Sequence, residues 1–294
     1  MENTVRAPIS EKNPGPVKTL SSAAWLGWKI ESNWTDPFIF AFYSIVRPIT
    51  QAAILIVMYL VIRGGNFADP DFVNMYIGNA FYLLVNGAMQ GVYFGILDDR
   101  EHYRTLKYIY IAPLQVPIYL VGRGLASIVV ASISVVITLL FGVVFLKVPI
   151  VLAEVNWLLL LVALALGMIT MVSLGVILGG WALMIKNNIY TLGDALAAGL
   201  FIFSGAVFPL TVLPRALRVV GYALPLAYWF VLIRRALVPE IGHLDPMFSH
   251  FSDGNLLLIA VAFALLFAVL AVVTFRFFDH QAREKGNIDM VSNY

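Results

Sequence analysis

Apolar residues in this chain run on for whole turns of helix instead of alternating with polar ones or keeping to one face. Six such runs are about 20 residues or longer, enough to cross a hydrocarbon core about 30 Å thick. They cover Phe38–Ile62, Val73–Leu97, Pro117–Phe145, Trp157–Met184, Ala195–Leu213 and Leu256–Phe275. The third and fourth exceed the minimum, which implies tilt or projection into water. The pattern predicts an all-α polytopic membrane protein of six transmembrane helices, with spans and connections over 37–276. Residues 1–17 and 277–294 form its tails. The opening "MENTVRAPISEKNPGPVK" is polar and Pro-rich and is expected to be poorly ordered, and no cleavable signal peptide is expected before the first run.

Two segments fit neither loop nor simple span. In the stretch 18–36, Leu20, Ala23, Gly27, Ile30 and Trp34 fall near one helical face, while Lys29, Glu31 and Asn33 point elsewhere. Three tryptophans suit the headgroup region, so an amphipathic helix lying on the membrane surface is predicted. The stretch Pro214–Leu237 is apolar enough to enter lipid but is broken by Pro214, Gly221 and Pro225 and carries four arginines. A pair of short re-entrant helices between the fifth and sixth spans fits it better than a crossing, because irregular backbone at membrane depth is tolerated where protein or a water-filled cavity surrounds it.

Composition agrees with a lipid environment. Hydrophobic residues make up 61% of the 294 and charged residues only 12%, against about a quarter charged in soluble domains. A net charge of +2 gives no reason to expect a nucleic-acid partner, and the lack of cysteine excludes disulfides and thiolate metal sites. The distribution of Lys and Arg sets the orientation. With a cytoplasmic N-terminus, twelve of the 19 lie inside and six outside, with Arg47 inside the first span. Both termini are therefore expected in the cytoplasm, and so is the connection between the second and third spans.

That connection holds the densest charge in the chain. Between Leu97 and Lys107, Asp98, Asp99, Arg100, Glu101, Arg104 and Lys107 are charged. Read as a helix, it lets Glu101 pair with Arg104 at i+3, with Tyr103, Leu106 and Tyr110 as an apolar strip beside them. Such an element suits docking to a partner, and a solvated loop obeying the positive-inside rule gives the same composition. No phosphate-cradling G-x-x-x-x-G-K-[ST] is present. The four histidines are scattered, and His243, His250 and Asp245 make a poor metal set. Acidic residues are nearly absent from the span interiors, which argues against an ion-coupled carrier. No pair of buried carboxylates or histidines supports a membrane-embedded enzyme. The chain thus lacks an energy source of its own.

The stretch "EHYRTLKYIYIAPLQVPIYLVGR" resembles the signature of type-2 ATP-binding-cassette exporter permeases, in which an acidic residue, a Leu, a Pro and a Gly-Arg or Gly-Lys mark the coupling region. These match Glu101, Leu106, Pro113, Gly122 and Arg123. A second family segment resembles "SGAVFPLTVLP" from Ser204 and "LPLAY" from Leu224. Both occur in register. The chain departs from the family in having Tyr103–Arg104 where a glycine usually follows the acidic residue.

The resemblance implies a permease half of an exporter. Two copies of an ABC ATPase subunit, which carry ATP and Mg, would dock beneath it, and a second, identical permease would pair with it. It implies a coupling helix built on Glu101, Tyr103, Arg104, Leu106, Lys107 and Pro113, a connecting helix over 18–36, and an outer gate including Pro209, Pro214 and Pro225. No cofactor is expected in the chain itself.

For the substrate path, Asn79, Asn86 and Gln90 share one face of the second span, and Phe201, Ser204 and Phe208 one face of the fifth. Interhelical hydrogen bonding and ordinary packing explain the same residues. Arg47 is expected to snorkel or to pair. The cargo expected is an amphipathic drug-like molecule or a lipid. A lipid-linked polysaccharide exporter and a stand-alone secondary transporter are the alternatives.

Overall fold

Residues 15–32, 37–185, 189–243 and 248–286 are described by a computed structural model. Trp34, Asp245 and the two outer ends of the chain lie outside the described residues.

The helix on which the others assemble is α3 (Pro70–Leu97). Pro70 sits in its first turn, where a missing N–H costs nothing, and the Asp69 side chain accepts a hydrogen bond from the Asp71 amide at 3.1 Å. The Tyr59 hydroxyl of α2 (Pro37–Arg63) donates to the same carboxylate at 2.5 Å. Of the five long apolar helices α3 is the most enclosed, and glycine is the reason. A Cβ on Gly87 would lie 2.4 Å from that of Ala131, and one on Gly91 would lie 2.6 Å from that of Ser127, both in α5 (Val116–Phe145). From the other side, Gly124 of α5 admits Val92 in the same way. Close backbone approach through small residues is how helices associate in lipid, where apolar burial offers little drive.

The opposite side of α3 receives α6 (Trp157–Ala182), which in turn packs along α11 (Asp253–Glu284), with Gly180 against Phe275. The first helix, α1 (Pro16–Ser32), lies on the start of α5. Its buried side carries Thr19, Ala23 and Gly27, and Gly27 meets the Arg123 carbonyl so closely that a Cβ there would be 2.6 Å away. Trp25 and Trp28 face outward. Within the stretch 18–36, where an amphipathic surface helix is expected, the described residues form the helix Pro16–Ser32, and positions 33–36 lie outside them.

Among the described residues five helices are long and apolar enough to cross a membrane, six if α8 (Arg215–Ala223) and α9 (Pro225–Leu237) count as one span bent by 77°. The fold is all-α and polytopic, as the apolar runs predict. The fifth run differs from its expected form. It gives a helix, α7 (Ile189–Phe203), of 15 residues, about 22 Å long at 1.5 Å per residue. The helix stops because Gly205 takes a left-handed φ of 73° and Pro209 then starts a single 3-10 turn, Leu210–Val212. The short helices α4 (Leu106–Ile111) and α10 (Pro239–Gly242) complete the order.

Candidate functional site

At the end of α3 the backbone widens into a π-turn, Asp98–His102. The wider turn brings three consecutive charged residues, Asp99, Arg100 and Glu101, into the interior, each at most 9% exposed. Asp99 accepts from the Tyr119 hydroxyl at 2.8 Å and from an Arg123 guanidinium N–H at 3.3 Å, both on α5. Arg100 donates from Nε to Glu101 at 2.7 Å, and its other nitrogens donate to the Ala182 carbonyl at 2.8 Å and the Ile185 carbonyl at 3.4 Å. The Ala182 carbonyl, left open by the end of α6, thus receives a donor, as does that of Ile185 three residues beyond it. One five-residue turn ties together the ends of α3 and α6 and the start of α5.

This corrects two expectations. Glu101 pairs with its neighbour Arg100 inside the protein, and among the described residues Arg104 forms no ion pair with it. Arg104 instead takes a left-handed φ of 54°, which turns the chain out of the π-turn and into α4. The apolar strip of Tyr103, Leu106 and Tyr110 is also not a single exposed face. Leu106 and Ile109 are buried beneath α4, while Tyr103, Lys107, Tyr108 and Ile111 are exposed. Pro113 is exposed in the turn that leads into α5. Tyr110 faces the end of α11, where the Arg283 guanidinium lies 4.8 Å from its ring centre and pairs with Asp279 at 3.2 Å. Burial, reinforced by the neighbouring Asp279 carboxylate, pushes the Tyr110 hydroxyl above its ordinary range.

Beside this joint, between α2 and the α3–α5 pair, is a cavity of about 450 Å³. The end of α1 closes it with Ile30 and Glu31. Phe40, Tyr43, Ser44, Arg47 and Gln51 of α2 form one wall, and Asn86, Gln90, Phe94 and Asp98 of α3 form the other, with Arg123, Ser127 and Ser134 of α5 behind. Burial pushes the Glu31 carboxyl above its ordinary range; Arg123 and Arg47 oppose the shift and Asp98 adds to it.

The predicted path residues separate here. Asn86 and Gln90 line the cavity, with Gln90 3.4 Å from Asp194 of α7. Asn79 is buried two turns further along α3, away from the cavity lining. The residues of the fifth run do not share a helical face. Phe201 packs edge-on against Tyr82 at 4.6 Å, Ser204 is buried just past the end of α7, and Phe208 lies in the turn beyond it.

Two of the four arginines of the predicted re-entrant segment, Arg234 and Arg235, hold the broken segment after α7 and the start of α11. Arg234 donates to the carbonyls of Asn74, Gly205 and Ala206 at 3.1, 2.9 and 2.7 Å. Arg235 donates to Phe248 and Phe251 carbonyls and to Asp253, at 2.7, 2.7 and 2.8 Å. Pro209, Pro214 and Pro225 each stand at the start of a helical turn, where proline's fixed φ is favourable.

The residues missed in the sequence are Asp99, Arg100 and Tyr119 at the joint, and Arg47, Glu31 and Asp98 at the cavity. One signal for the joint was present. Arg123, inside a long apolar helix, needs a buried counter-charge, and the acidic run before it is the nearest source in sequence. Among the described residues no three His, Asp or Glu side chains come together as a metal site.

No curated protein matches the chain. The family model described as "ABC-2 type transporter" matches residues 21–238, a stretch that begins in α1 and runs through the joint, the cavity and both arginines of α9. With about three quarters of its length matched, the chain belongs to the ABC-2 type transporter family.

Proposed function

We propose that this multi-pass permease is the membrane half of an ATP-driven exporter of amphipathic, drug-like or lipid molecules. Two identical copies pair in the plasma membrane with both termini in the cytoplasm. Two copies of a separate ATPase subunit supply ATP and Mg. In this reading α4 is the coupling helix, and the observation that carries it is the contrast between its two sides. Leu106 and Ile109 anchor it to a buried ionic joint shared by three helices, while Tyr103, Lys107, Tyr108 and Ile111 are presented outward. An exposed aromatic and aliphatic patch with a charged rim fits a protein partner. Force applied there reaches α3, α5 and α6 together through Asp99, Arg100 and Arg123. Cargo then occupies the cavity lined by Asn86 and Gln90, and Pro209, Pro214 and Pro225 belong to the outer gate.

Reconstitution tests this directly. Permease co-purified with its ATPase in liposomes should move a fluorescent amphipath only with ATP. Ile111→Asp should abolish ATPase retention on the column without lowering the melting temperature of the isolated permease. Transport by the permease alone, driven by an ion gradient, would remove the ATPase from the scheme.

A further inference from the structure

Two opposite charges face the same cavity without meeting. Arg47 stands ten residues into α2, about 15 Å along its axis. The contact described for its guanidinium is with the Tyr43 ring on its own helix, whose centre is 5.8 Å away. No carboxylate among the described residues lies within ion-pair distance of it. Asp98, half-buried at the end of α3, likewise makes no side-chain hydrogen bond or ion pair among the described residues. Both line the cavity, and Glu31 is within electrostatic reach of each. Deeper in the cavity, the buried Asn86 amide oxygen has no hydrogen-bond partner among the described residues. Unpaired charges at membrane depth are costly and mark ligand or ion sites. A cavity of this size suits a small amphipath's polar part.

The order of these groups matters as much as their signs. Counted along α2 and α3 from the ends that adjoin α1, the carboxylates of Glu31 and Asp98 come first, beside Arg123, whose guanidinium is paired with Asp99. The Gln90 amide and Arg47 follow, about two to three turns in, and the amides of Asn86 and Gln51 lie beyond them. The outer side of α2, with Ile54, Val57 and Val61 exposed, is apolar beyond them as far as Arg63 at its end. A lipid whose head carries an ammonium outermost, a phosphate next and acyl chains last presents the complementary sequence. A purely anionic head would meet two carboxylates at the entrance, and a purely cationic one would leave Arg47 without an anion.

We infer that this cavity binds a zwitterionic ammonium–phosphate headgroup, with the phosphate on Arg47, the ammonium at Asp98 and Glu31, and the chains along α2. That such a molecule is cargo rests on the export reading above; that it binds does not.

The test uses the purified, delipidated full chain without ATPase. Phosphatidylethanolamine, phosphatidylglycerol and dodecyltrimethylammonium are titrated separately, and retention is read by native mass spectrometry. Phosphatidylethanolamine should bind about tenfold or more tightly than either single-charge probe, the ratio expected from one charge-assisted hydrogen bond. Arg47→Gln should lower binding of phosphatidylethanolamine and phosphatidylglycerol by a similar factor, and Arg47→Lys should restore most of it. Asp98→Asn should weaken phosphatidylethanolamine and dodecyltrimethylammonium while sparing phosphatidylglycerol.

Equal retention of all three probes, unaffected by either charge removal, would mean annular lipid only and overturn the site. Preference for dodecyltrimethylammonium over phosphatidylethanolamine would overturn it in favour of a cationic ligand. The two readings fail separately. Arg47-dependent binding without ATP-driven movement upholds the site and removes the lipid as cargo. ATP-driven export of another amphipath, with no phosphatidylethanolamine bound, removes the site alone.

Discussion

Replacing Glu101 by alanine distinguishes a buried joint from a surface loop. On a solvated face a Glu–Arg pair contributes about 0–1 kcal/mol, and its loss would pass unnoticed in a melting curve. Here the side chains of Arg100 and Glu101 are 4% and 2% exposed and meet at 2.7 Å. Removing the carboxylate leaves Arg100 with the Ala182 and Ile185 carbonyls but without its adjacent counter-charge, and breaking a buried pair by deleting one partner costs about 3–5 kcal/mol. For a chain of this length each kcal/mol corresponds to about 2–4 °C in melting temperature. Glu101→Ala should therefore lower the apparent melting temperature of the detergent-solubilised permease by about 6 °C or more.

Replacing Arg100 and Glu101 together by methionine removes both charges. It should recover much of that loss, because a buried pair exchanged for apolar side chains of similar volume is often near neutral. The assay is fluorescence-detected size exclusion after heating, with the wild type, the single and the double variant side by side. A single variant that melts with the wild type would refute the buried joint and return Glu101 to the surface.

Cysteines introduced singly into a chain that has none test the orientation: Thr105 and Asn287 should resist impermeant thiol reagents in intact cells, and Asn66 and Ser249 should be labelled. Asn86→Leu combined with Gln90→Leu should change which compounds stimulate ATP hydrolysis by the assembled complex while basal hydrolysis persists; lost assembly with unchanged preference would count for packing alone. Glu31 has its folded-state pKa raised above the ordinary 4.5 by burial, so the folded state binds the extra proton and stability should fall as pH rises from about 4.5 through the folded value. Glu31→Gln should flatten that part of a melting-temperature profile recorded between pH 4 and pH 7, and an unchanged slope would exclude Glu31 as its source.

The long spans were legible because twenty apolar residues in succession have few other physical outcomes. That α1 is a helix with one buried face was legible too, since Ala23 and Gly27 recur at the spacing that buries one face. The fifth run misled because hydropathy averages over Gly205 and Pro209, which stop a helix without lowering the apolar count. The charged turn misled for a different reason. Asp99, Arg100 and Glu101 have the same composition whether solvated or buried, and their burial depends on a π-turn and on Arg123, 24 positions from Asp99. Asn86 and Gln90 were placed on one helical face from spacing alone, but that Arg47 and Asp98 border the same space as these amides follows only from the packing of three helices.

The glycine contacts between α3 and α5 have a mechanical consequence. With Ala131 and Ser127 seated directly on Gly87 and Gly91, neither helix can slide past the other without driving a side chain into backbone. Helices so interlocked move as one stiff plate, and packed interfaces of this kind switch between discrete arrangements instead of deforming continuously. Compliance is then expected of α2, which lies across the cavity from that plate, and of α7, which ends after 15 residues at the Gly205 break. Any cycle of opening and closing would then move α2 and α7 against that plate. Substitutions that stiffen α2 or α7 should slow that cycle more than substitutions of equal size within the plate.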